Sequence, residues 1–109
     1  MENLRMNYSW QPDEKTDVYG SVIFHNPENK SARWFATELK KYLIGGEFFV
    51  PDVLGLPVLY EWTDADGDAD YHALDAVDKT ELPATDSRSA DEFLSEIQEF
   101  KRKHPEEYW

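Results

Sequence analysis

The chain contains no cysteine, which excludes a disulfide framework, thiolate metal ligands and a cysteine nucleophile, and leaves any chemistry to oxygen and imidazole groups. Glycine is scarce as well. Gly20, Gly55 and Gly67 stand alone and Gly45-Gly46 lie side by side, so none of them builds a glycine-rich phosphate loop. No apolar run approaches the roughly 18 residues that cross a bilayer. The N-terminal Met1-Glu2-Asn3-Leu4-Arg5 lacks the basic-then-apolar pattern of a signal peptide, so a cytoplasmic protein without membrane contact is expected. His25, His72 and His104 are scattered, with no His-x-x-x-His or His-Glu-x-x-His spacing, and no Gly-x-Ser-x-Gly elbow is present. Neither an enzyme nor a bound cofactor is expected.

Bases are the other shortage. The 109 residues carry 11 Lys and Arg against 23 Asp and Glu, a formal net charge of −12. The excess is uneven: residues 1–60 hold 8 acids and 6 bases, residues 61–92 hold 11 and 2, and residues 93–109 hold 4 and 3. The middle segment alone therefore contributes −9. A field of that sign repels phosphate backbones and anionic lipid and steers basic surfaces inward. Direct nucleic-acid binding is not expected.

With 40% hydrophobic and 15% aromatic residues, a chain of this length has enough apolar surface for one core, and a single domain over 1–109 is expected. Leu4, Met6, Tyr8 and Trp10 recur with the two-residue period of a strand. The polar stretch 11–17, with Pro12, reads as a turn, and residues 18–25 as a second strand whose Val22, Ile23 and Phe24 suggest burial on both faces. A helix follows, entered at Asn26-Pro27-Glu28 or at Ser31; Ala32, Phe35, Ala36, Leu39 and Leu43 form its apolar stripe, and Gly45-Gly46 stops it.

Residues 47–50 and 57–62 read as short strands, 51–56 have no assignment, and Asp66-Gly67 is a turn pair that would let 71–77 pair back as a hairpin arm. Residues 79–88 read as a polar connector. Ser89-Ala90-Asp91-Glu92 fits a capping box, ahead of a helix with Ala90, Phe93, Leu94, Ile97 and Phe100 on one stripe and Pro105 at its end. These elements predict an α+β fold: a mainly antiparallel sheet of four to five strands with two helices packed on one face.

Candidate functional residues are chiefly acidic. Asp64, Asp66, Asp68 and Asp70 alternate, so in an extended chain they would share one face about 6.6 to 6.8 Å apart. Mutual repulsion among four such carboxylates is relieved by water, by a cation or by a basic partner. As a calcium loop the run is a poor match: with Asp64 in first position, Gly67 falls fourth, Ala69 takes the glycine position and Asp75 replaces the bidentate Glu. Asp64, Asp66, Asp68 and Asp70 are thus only weak metal candidates. The partner-binding set is Asp64, Asp66, Asp68, Asp70, Asp75 and Asp78, with Trp34, beside the first helical stripe, and Trp109, after Tyr108, as aromatic anchors.

The resulting expectation is a small acidic binding protein that docks its 61–92 segment on a basic, nucleic-acid-handling protein. Its size, acidity and lack of cysteine are shared with immunity proteins of bacterial toxins and phage inhibitors of host defence, a likeness of composition alone. Two alternatives stand beside it: an assembly subunit or homodimer joined through exposed aromatics, and a divalent-metal protein using the Asp-rich loop.

Overall fold

The two-residue alternation of the N-terminal segment builds the centre of the fold. In the computed structural model, which describes residues 2–13, 16–57, 59 and 72–103, strand β1 (Asn3–Asp13) buries Leu4, Met6, Tyr8 and Trp10 on one side. Arg5, Asn7 and Ser9 occupy the other side. Strand β2 (Thr16–Phe24) returns antiparallel, pairing Leu4 with Phe24, Met6 with Val22 and Tyr8 with Gly20. A Cβ at Gly20 would meet the tip of the Leu59 side chain, which would have to shift to admit it. Val22, Ile23 and Phe24 are all buried, as their run suggests.

Helix α1 (Ala32–Lys40) begins at the later of its two expected entries. Ser31 is the N-cap, its hydroxyl accepting from the Trp34 N–H at 3.0 Å. Asn26 is consumed by a preceding turn: its buried amide donates to the carbonyls of Glu2 and Lys30, and its oxygen accepts from the Lys30 N–H. The helix stops at Lys40, earlier than the glycine pair implies. Leu43 still reaches the core from the turn beyond it, and Gly45 and Gly46 take φ of 62° and 76° there, the left-handed region that glycine enters freely.

Strand β3 is only Phe48–Phe49, and Pro51–Leu54 form a 3-10 turn. Strand β4 (His72–Thr80) pairs with β1 on one side and β3 on the other, giving the antiparallel order β2-β1-β4-β3. It runs into the segment expected as a connector, because β1 offers ladder partners to its very start: Leu4 faces Lys79 and Asn3 faces Thr80. The strand expected over 57–62 lies outside the described residues except for Pro57 and Leu59.

Helix α2 (Ala90–Lys103) opens with the expected reciprocal cap: the Ser89 N–H donates to Glu92 at 3.0 Å and the Glu92 N–H donates to the Ser89 hydroxyl at 3.1 Å. Its Ala90, Phe93, Leu94 and Ile97 are buried. Both helices pack on one face of the sheet, where Phe24 stacks on Phe93 with ring centres 4.4 Å apart and meets Phe35 edge-on at 5.7 Å. Each such ring, fully buried, contributes roughly 1.5 to 3 kcal/mol. The fold is α+β, and among the described residues no helix is long and apolar enough to cross a membrane.

Candidate functional site

Among the described residues the helices cover one face only and leave the other face of the sheet open, and the strand registers fix its side chains. One row crosses all four strands: Phe48 on β3 opposite Ala73 on β4, Ala73 opposite Ser9 on β1, and Ser9 opposite Tyr19 on β2. The partners that alternate with them, Phe49, His72, Leu74, Tyr8 and Trp10, are buried. A second row holds Ala76, Asn7 and Ser21, and a third Asp78, Arg5 and Ile23. The two ends of the first row are exposed aromatics, Tyr19 at 69% and Phe48 at 43%. Between them the floor is made of small side chains.

Two of the expected partner-binding acids lie on this face. Register slips between Asn7 and Tyr8, so that Asn7 faces Ala76 while Tyr8 faces Leu74, and Asp75 is the extra residue of a bulge. Asp75 and Ala76 are consequently both exposed in succession, and Asp75 accepts from the Ser9 hydroxyl at 3.1 Å. No cation pairs with it among the described residues. Asp78 is different. Arg5 donates to both of its oxygens, at 3.1 and 2.5 Å, and Asn7 adds a third donor at 2.7 Å, so the hydrogen bonds from Arg5 hold its carboxyl below the usual range.

A third acid, Asp17, joins them. It shares the strand face of Tyr19 and accepts, at 3.4 Å, from the phenol. Charge on Asp17 raises the Tyr19 pKa, with smaller contributions from desolvation, the hydrogen bond to Asp17 and the charge of Asp75. Sequence reading misses Tyr19, Phe48 and Asp17. The signal for two of them is the alternation of Asp17, Tyr19 and Ser21 against the apolar positions of β2, which sets a large aromatic between two polar residues on one face.

Asp64, Asp66, Asp68, Asp70 and Trp109 lie outside the described residues. Trp34 sits on the helical side of the sheet, away from the acids, half-buried and stacked on Phe35, with the Lys30 ammonium over its ring at 4.9 Å. His25 is exposed and tied by its backbone to residues 88–90, while His72 is buried and its Nε2 accepts from the Leu59 N–H at 3.0 Å. His104 is outside the described residues. Among the described residues no group of three or more His, Asp or Glu could hold a metal ion.

A second polar concavity, lined by Gly55, Thr85, Asp86, Ser87, Arg88 and Glu96, is a structural joint. Arg88 donates twice to Asp86, once to Glu96, and to the carbonyls of Leu54 and Gly55, while its guanidinium lies 4.9 Å from the centre of the Phe93 ring. All five of its N–H donors are thereby committed. These bonds raise the Arg88 pKa and, from the other side, depress that of Asp86. With its cation saturated and two carboxylates in the wall, the concavity offers nothing to an anion.

No family model matches the chain, and neither curated proteins nor solved structures give a significant match.

Proposed function

We propose that the chain is a small acidic binding module, an inhibitor of the toxin-immunity or anti-defence type, that docks segment 61–92 on a basic surface of a nucleic-acid-handling protein. The observation that carries this reading is the concentration of −9 of the −12 net charges in those 32 residues. Further support comes from β4, which belongs to the segment and turns Asp75 toward solvent on the face that the helices leave open. Exposed like charges gathered in one region raise the rate at which an oppositely charged protein arrives, and they do so without a catalytic group.

The immobilised chain should retain a basic protein from an extract of its native host at low salt and release it as salt is added, because screening shortens the reach of exposed charges to about 8 Å at physiological ionic strength. With that protein in hand, replacing Asp64, Asp66, Asp68 and Asp70 together by Asn should slow association while the fold persists. A quadruple variant that associates as fast as wild type would refute the reading.

A further inference from the structure

We infer that the open sheet face is a cradle for one basic amphipathic α-helix of the partner, with Tyr19 and Phe48 as its two walls and Asp17 and Asp75 as its ion-pairing rim. It rests on the acidic-module reading and gives that reading a surface. Adjacent strands lie about 4.8 Å apart, so β2 and β3 are separated by about 14 Å, whereas an α-helix with its side chains is about 10 to 12 Å across. One helix fits between the walls. The floor is Ser9 and Ala73 in the first row and Ala76, Asn7 and Ser21 in the second, with Asn7 held down by its bonds to the Ala76 carbonyl and the Asp78 carboxylate, so a helix can approach the sheet closely.

Tyr19, Phe48 and Leu82 are the exposed large hydrophobic residues of the described chain, and two of the three bracket a single row of one face. Aromatic residues at such positions desolvate well and are the usual anchors of an interface. Charge decides what lands there. Arg5 is spent on Asp78, whereas Asp17 and Asp75 have no cationic partner among the described residues. A helix with apolar residues along one stripe and Lys or Arg on its flanks would satisfy both features at once.

The same features argue against other occupants. A second copy of this chain would bring Asp17 and Asp75 against their equivalents in a molecule of net charge −12. Strand addition at β3 has only two residues to build on, and at the end of β2 the edge is taken up at Ile23, whose N–H donates to the Thr85 hydroxyl and whose carbonyl accepts from the N–H groups of Thr85 and Asp86.

The probe is a synthetic helical peptide of about five turns, Leu and Ala along one stripe and Lys and Arg on both flanks, titrated against the full chain beside a scrambled peptide of identical composition. Wild type should bind the helical peptide and discriminate against the scrambled one. Tyr19→Ser and Phe48→Ser, both at exposed positions, should each weaken binding at least about ten-fold, and Gln98→Ala on the helical side should not change it. Asp17→Asn with Asp75→Asn should reduce affinity at low salt and flatten its salt dependence.

Failure to bind, equal binding of the scrambled peptide, or full affinity in both aromatic variants would overturn the cradle. So would sedimentation showing a dimer that Tyr19→Ser dissociates, which would name a second copy as the occupant. The two readings also separate. If the host protein associates through Asp64, Asp66, Asp68 and Asp70 yet ignores Tyr19→Ser and Phe48→Ser, the cradle is wrong and the acidic module stands; if the quadruple variant associates normally, the acidic-segment reading falls whatever the peptide does.

Discussion

Replacing Arg88 by alanine should destabilise the fold by about 3 kcal/mol, the lower end of the cost of removing one partner from a buried ion pair. The lower end applies because Glu96, its second partner, is 60% exposed and is freed to water, whereas Asp86 is only 10% exposed and is left without its bidentate donor. The Leu54 carbonyl loses its 2.9 Å donor, and Phe93 loses the guanidinium above its ring. For a domain of this size the loss corresponds to a melting temperature lower by roughly 10 to 20 °C. Urea denaturation followed by tryptophan fluorescence gives the number, with the slope checking that the unfolded state is unchanged. Arg88→Met combined with Asp86→Asn should recover at least half of the loss, because it removes the orphaned charge along with its partner. An Arg88→Ala midpoint within about 0.5 kcal/mol of wild type would show that the joint between the 3-10 turn and α2 carries no weight.

Three smaller effects are expected. Asp86 and Asp78 both have depressed pKa values, through Arg88 and Arg5, so their stabilising contributions are complete above the unfolded value of about 3.9 and drain away as pH falls from there toward the folded values. Acid titration of the urea midpoint should show this fall, and in the Arg88→Met, Asp86→Asn variant it should be shallower. Burial pushes the Tyr8 phenol up to about 12, with its O–H donated to the Pro57 carbonyl at 2.6 Å, so absorbance titration should find a step near that value that Tyr8→Phe removes. The stability it lends is present below its unfolded pKa of about 10 and is lost as pH rises toward the folded value. Ser89→Ala should cost about 1 kcal/mol and speed amide exchange at the first turn of α2, while an unchanged midpoint would deny the cap its role.

The features legible in the sequence are those that depend on near neighbours. The alternation of Leu4, Met6, Tyr8 and Trp10, the capping box at Ser89 and the stripe from Ala90 to Ile97 are local patterns, and each forms as its spacing implies. The features that escape depend on partners far along the chain. Lys79 and Thr80 look like connector residues, yet they extend β4 because Arg5 and Asn7, more than 70 positions away, bond the neighbouring Asp78 carboxylate and β1 supplies the ladder. The bulge at Asp75 breaks the two-residue period that would have shown which side chains leave the core. Asn26 looks like a cap, but the backbone of Glu2 claims its amide. Arg88 is one of two bases in an acidic stretch, and only the fold shows that it spans Leu54, Asp86 and Glu96. The acids are visible as a set, whereas the pairing that neutralises Asp78 and leaves Asp75 open is not.

The central question is which side of the molecule receives a partner. Amide chemical shifts of the isotope-labelled chain, followed as the helical peptide or the captured host protein is added at physiological salt, test this directly. The predicted result is that the largest changes fall on Asn7, Ser9, Asp17, Tyr19, Ser21, Phe48, Ala73, Asp75 and Ala76. Changes concentrated instead on the outer surfaces of α1 and α2, with those nine residues undisturbed, would contradict it.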